Sequence, residues 1–130
     1  MTRLILMTLL VLNSGPVYAE WVLVSGDDEA GRTVYVDPDT IRSKGNLVKM
    51  LSLIDYKTIQ IIAGDSFLSS KSQHEYDCAE ELDRLVAFTR FSGNMGSGMV
   101  VFSNSDEQKW ESVQPESVGQ TLWTFACGMK

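Results

Sequence analysis

The sequence predicts an α+β domain: a single antiparallel sheet of about six strands, a C-terminal helix packed on it, and one disulfide. Three observations carry that expectation. Short runs rich in β-branched, leucine and aromatic residues recur between Asp/Gly/Ser/Asn turns from residue 21 to residue 102. The period then changes, because Val118, Leu122, Phe125 and Ala126 stand at i, i+4, i+7 and i+8, the spacing of one helical face. The chain also has two cysteines, Cys78 in the strand region and Cys127 in the helical one.

Residues 1–19, MTRLILMTLLVLNSGPVYA, read as a removable signal peptide. Arg3 supplies the positive start and residues 4–12 the apolar centre. Val17 and Ala19 are the small residues at −3 and −1, so cleavage is expected after Ala19. The alternative is an uncleaved anchor, but the apolar run is about half of the ~20 residues a membrane span needs. No cysteine stands at the cleavage point, so lipid attachment to the new N-terminus is not expected. Residues 20–130 remain as one exported domain.

In that domain, residues 21–25 (Trp21-Val22-Leu23-Val24-Ser25) form the first strand, 26–31 a polar turn, and 33–36 the second strand of a hairpin. Asp37-Pro38-Asp39 is expected to stop that strand, with Thr40-Ile41-Arg42 as a single turn before the glycine turn at 43–46. Residues 47–56 are the longest strand candidate, and 59–63 make a further apolar run ended by Gly64-Asp65. Residues 67–78 follow as a strand with Ser70, Ser72, His74, Tyr76 and Cys78 on one face. Residues 85–91 and 99–102 form a hairpin across the glycine loop 92–98. The helix over 116–127 begins after Pro115 with Ser117 as its cap, and Gly128 stands where a helix end favours a residue tolerant of positive φ.

Export carries thiols into an oxidising compartment, so Cys78 and Cys127 are expected to pair; the alternative is two buried free thiols. The bridge would close a loop of about 50 residues, worth on the order of 4 kcal/mol. That is a large share of a small domain's stability.

Charge excludes some partners. Asp and Glu outnumber Lys and Arg by 17 to 11, for a net charge of −6. Such a chain is poorly suited to nucleic acid or to anionic membranes. His74 is the sole histidine, and without a second histidine or a free cysteine it suggests packing rather than a metal or haem site. The loop Gly93-Asn94-Met95-Gly96-Ser97-Gly98 lacks the Lys-Ser/Thr ending of a phosphate loop and joins strand to strand. Asp27-Asp28-Glu29 and Asp37/Asp39 lack calcium-loop spacing, and no Gly-x-Ser-x-Gly elbow is present. The residues therefore single out no catalytic group, no metal ligand and no cofactor. An enzymatic role would need a cleft gathering His74, a carboxylate and a serine.

The run Leu68-Ser69-Ser70-Lys71-Ser72-Gln73-His74-Glu75-Tyr76-Asp77-Cys78 carries more information as a whole. With Tyr35-Val36-Asp37-Pro38 before it, and Trp110, Val113-Gln114-Pro115-Glu116-Ser117 and Cys127 after it, the chain resembles the surface-adhesin protein E family. The resemblance covers nearly all of residues 20–130. It implies an antiparallel sheet with a helix and one disulfide, and a binding role without catalysis. Host matrix glycoproteins, plasminogen and haemin are the ligands it suggests. It also implies structural work for Tyr76 and Trp110 as core aromatics, and it assigns no ligand contact to a particular residue. The alternative is a soluble periplasmic envelope protein or inhibitor, since the tethering cysteine of a surface lipoprotein is lacking. A protein partner is expected in either case, with a homodimer through a sheet edge as a further possibility. The C-terminal Lys130 is the kind of group that lysine-binding modules capture.

Overall fold

The computed structural model describes residues 20–27 and 31–128. The expected signal peptide with its cleavage after Ala19, the acidic pair Asp28-Glu29, and Lys130 lie outside the described residues. The strands are β1 (Val22–Asp27), β2 (Arg32–Lys44), β3 (Leu47–Ile62), β4 (Asp65–Asp77), β5 (Leu82–Phe91), β6 (Val100–Asn104) and β7 (Glu111–Ser112). They are followed by one helix, α1 (Val118–Gly128). The first six strands pair in chain order, each antiparallel to the last, so the sheet is a meander. β7 returns to pair Leu82 and Asp83 of β5, at the opposite end from the stretch Phe88–Phe91 that holds β6.

Strand alternation decides the two faces. On one, Val34, Val36, Val48, Met50 and Tyr76 form the buried core with Leu122 and Ala126 of α1. Val118 and Phe125, expected on the inner face of the helix, pack partly buried against the same cluster. Ser117 Oγ accepts a hydrogen bond from the Gln120 N–H (3.1 Å), the N-cap its sequence position promised. The far end of α1 is tied down twice. Cys78 and Cys127 are joined in a disulfide with a Cα–Cα distance of 5.7 Å, and the Trp123 indole donates to the Asp77 carbonyl (3.0 Å).

On the other face Leu53 and Ser69 are fully buried. The β5–β6 connection folds onto this face and is fastened by two side chains. Ser69 Oγ donates to the Gly93 carbonyl (2.6 Å) and accepts from the Gly96 N–H (2.9 Å). Its cross-strand partner Asp55 accepts from the Met95 N–H (2.8 Å) and from Asn94 Nδ2 (3.0 Å). The glycine loop is therefore a docked hairpin connection. Gly98 is required there: its φ is +80, and a Cβ added to it would stand only 2.9 Å from the Gly93 nitrogen.

Besides shifts of up to three residues at other element ends, the starts of β4, β5 and α1 among them, the elements differ from the sequence expectation in four places. β2 does not stop at Asp37-Pro38-Asp39 but runs on to Lys44, its register with β3 shifting between Asp37 and Arg42. The turn chemistry is present and has become a bulge. Asp37 Oδ1 accepts from the Asp39 N–H (3.1 Å), and Thr40 Oγ1 accepts the Leu51 N–H (3.0 Å) that a ladder carbonyl would otherwise take. Pro38, which has no N–H to offer, sits in that unpaired stretch. Likewise residues 47–56 and 59–63 join as one strand, β3, across a register shift between Asp55 and Gln60. β7 has too few residues to carry a periodic signal. Gly128 is the last helical residue rather than one past the helix end.

Candidate functional site

His74 lies on the helix-bearing face, opposite Met50, and stacks on the Tyr76 ring with centroids 5.9 Å apart. Its Nδ1 is 3.8 Å from Asp83 Oδ2. Burial lowers the His74 pKa below its ordinary 6.5, and the attraction of Asp83 only partly offsets this. Burial also raises Asp83 above its ordinary 3.8, against the pull of His74 and with the repulsion of Glu111. The pair is thus a neutral imidazole beside a carboxylate at neutral pH, not an ion pair. Tyr76 is fully buried, as expected of a core aromatic, and its hydroxyl is pushed to a higher pKa by the same burial. His74 and Asp83 line none of the surface hollows described below. Among the described residues no group of three or more His, Cys, Asp or Glu could hold a metal.

This geometry fixes a pH dependence. The unfolded imidazole takes a proton near 6.5 that the folded one refuses, so stability falls as pH drops below 6.5 toward the lowered folded value. The slope is bounded at about 1.4 kcal/mol per pH unit for one proton. Asp83 acts in the opposite sense, between 3.8 and its raised folded value. Urea titrations at pH 7 and pH 6 should show the wild type losing stability, and His74→Gln losing measurably less.

On the opposite face, a polar row crosses β2 to β5 through the pairs Arg42↔Lys49, Lys49↔Glu75 and Glu75↔Arg84. Arg84 donates to Glu75 Oε1 from Nε (2.9 Å) and Nη2 (2.6 Å), and its Nη1 lies 3.5 Å from Glu107 Oε2. The guanidinium is stacked on Trp110 at 4.4 Å. Trp110, expected in the core, is therefore a partly exposed platform for Arg84. A hollow of about 510 Å³ beside this row collects Arg42, Lys44 and Lys49. A wider groove of about 700 Å³ runs between β1 and α1, along Leu23, Ser25, Thr121 and Phe125.

The apolar surface is the most unevenly distributed feature. Among the described residues nine large hydrophobic side chains are exposed, and seven of them gather at one end of the sheet. They are Ile59, Ile61 and Ile62 on the β3–β4 hairpin, and Met95, Met99, Val100 and Phe102 around the start of β6. Register explains why they share this end. Asp55, Ser69, Phe91 and Val100 lie in one row across β3 to β6. Beyond it the hairpin continues alone, because β2 begins at Arg32 opposite Tyr56 and β5 ends at Phe91 opposite Ser69. The Lys57 N–H still donates to the Gly31 carbonyl (2.9 Å), but beyond it no strand among the described residues pairs with the tip of this hairpin arm, and Ile61 on it is 69 % exposed. The apolar run at 59–63 is plain in the sequence, but nothing there shows that the neighbouring strands end before it.

Three comparisons with known proteins bear on this arrangement. The family model described as surface-adhesin protein E matches residues 21–128. No curated protein matches the chain. Among solved structures, crystal form II of Haemophilus influenzae protein E superposes with a TM-score of 0.66 at 12 % identity, covering 87 % of this chain and 91 % of that one. A further structure of Haemophilus influenzae protein E gives a TM-score of 0.64, also at 12 % identity, covering 87 % of each chain. Protein E from non-typeable Haemophilus influenzae gives 0.57 at 12 % identity, over 87 % of this chain and 86 % of that one. At that identity the structures share a fold: the six-stranded meander with a helix on one face.

Proposed function

The chain belongs to the surface-adhesin protein E family, and from that membership we propose that it is an exported, non-enzymatic binding module that holds a host protein at the apolar end of its sheet. The observation that carries the reading is the set of seven exposed apolar side chains at the end of the sheet where, past Lys57, no strand among the described residues pairs with the β3–β4 hairpin. Exposed apolar clusters of this kind mark interaction surfaces on otherwise polar domains. Unpaired edges add backbone donors and acceptors to which a partner strand can pair. Among the described residues no helix is long and apolar enough to cross a membrane. Export through residues 1–19 with cleavage after Ala19 fits the disulfide, which belongs to an oxidising compartment. Self-association through the free edge of β1, where Val22 and Leu23 are exposed, is a second mode that sedimentation would reveal.

The test has two parts. The mature domain, residues 20–130, should bind immobilised matrix glycoproteins or plasminogen saturably, and protease added to intact cells should remove it. Full protection on intact cells, together with no binding, would overturn the reading in favour of a periplasmic role.

A further inference from the structure

The helix-bearing face beyond α1 holds an arginine with no counter-ion among the described residues. Arg90 stands in β5 opposite Ser70 of β4 and Phe102 of β6. Its guanidinium carbon lies 4.9 Å from the Phe88 ring centroid, 5.0 Å from that of Phe67 and 5.2 Å from that of Phe102. Phe88 and Phe102 stack on one another at 5.6 Å, and Phe67 meets Tyr56 edge-on at 5.8 Å, so the rings are themselves braced. Ring faces attract the cation through their quadrupoles but do not accept the in-plane N–H groups as a carboxylate does. Among the described residues Arg90 forms no ion pair and donates no side-chain hydrogen bond.

The other stacked arginine shows what is missing. Arg84 rests on Trp110 and also engages the carboxylates of Glu75 and Glu107. Arg90 has the rings and, among the described residues, no carboxylate, in a chain where acids outnumber bases by 17 to 11. In place of an acid it faces an open hollow of about 250 Å³, which Ile54, Leu85, Phe88, Ser70 and Ser72 help to line. That is below the roughly 300–1,000 Å³ of sites for drug-sized ligands.

We infer that this hollow is a binding site for a small monocarboxylic acid with an aromatic or aliphatic body. The carboxylate pairs with the Arg90 guanidinium, and the body packs against Phe88, Leu85 and Ile54. Arginine suits a planar acid because its fork of donors can engage both oxygens. A fully hydrated anion such as inorganic phosphate would bring no surface to bury against Phe88, Leu85 and Ile54. The hollow adjoins the hairpin arm, since Ile62 also lines it, but the inference does not rest on protein capture there.

The probe is 3-phenylpropionate, titrated into the mature protein and followed by NMR on backbone amides and the arginine Nε–H groups. The expected result is a saturable millimolar shift at Arg90, Ser70, Ser72 and Phe88. The uncharged 3-phenylpropionamide should bind at least tenfold more weakly, because a charge-assisted hydrogen bond contributes more than a tenfold factor. Arg90→Gln should lose at least tenfold, and Arg90→Lys should fall between it and the wild type. Equal binding of acid and amide would overturn the inference without any variant, and so would failure to saturate. Unchanged binding in a folded Arg90→Gln would overturn it too, as would shifts confined to the Arg42–Lys49 hollow.

Discussion

Replacing Cys78 and Cys127 together by serine is expected to cost on the order of 4 kcal/mol of stability, the chain-entropy value for a loop of this size. The cysteines are 49 residues apart in sequence, and the bridge removes the corresponding freedom from the unfolded chain. At roughly 4–8 °C per kcal/mol for a small domain, the melting temperature should fall by on the order of 20 °C. The loss should be concentrated in α1. An isolated helix of 11 residues is marginal in water. Without the bridge, α1 keeps its packing through Leu122 and Ala126, the partly buried Val118 and Phe125, and the Trp123 hydrogen bond to Asp77. Urea denaturation monitored by tryptophan fluorescence and by circular dichroism checks both statements. A loss below about 1 kcal/mol would show that packing alone holds the helix.

The second large effect belongs to Arg84. Glu75 is nearly buried, with 9 % of its side chain exposed, and Arg84 supplies two of its hydrogen bonds. Arg84→Ala leaves that carboxylate without its cation and uncovers the Trp110 ring. Removing one partner of a fully buried pair costs about 3–5 kcal/mol. Arg84 is 23 % exposed, so solvent screening brings the expected loss to about 2–3 kcal/mol. Arg84→Met combined with Glu75→Gln should recover most of it, since neither residue then buries a charge. Chemical denaturation of the single and double variants gives the comparison. An additive double variant would mean that Glu75 and Arg84 do not depend on each other.

The order of the strands, the C-terminal helix, its Ser117 cap and the disulfide are legible in the sequence because each depends on local chemistry. Apolar periodicity marks a strand or a helical face, a hydroxyl before a helical run marks a cap, and paired cysteines in an exported chain mark a bridge. The bulge at Asp37 to Thr40 is half legible: its residues are plain turn formers, but whether a turn ends a strand or kinks it depends on β3, 11 residues further on at Leu51. The role of Trp110 escapes a sequence reading for a similar reason. Its ring is expected in the core, whereas a long-range partner, Arg84, holds it at the surface. The candidate binding end is the least legible. Ile59, Ile61 and Ile62 read as ordinary strand residues, and their exposure follows from where β2 begins and β5 ends. Arg90 and its three phenylalanines come from three different strands, so no local pattern announces them.

The central claim is that the hairpin arm, rather than the braced core, does the binding. Ile59→Ser, Ile61→Ser and Ile62→Ser combined replace three exposed apolar side chains on that arm. Because these residues are exposed at 47–69 %, the melting temperature should stay within about 2 °C of wild type. Binding of the triple variant to the matrix glycoproteins or plasminogen that the wild type holds is the decisive measurement. The account predicts a loss of at least tenfold, about 1.4 kcal/mol. An unchanged affinity in a folded triple variant would contradict it.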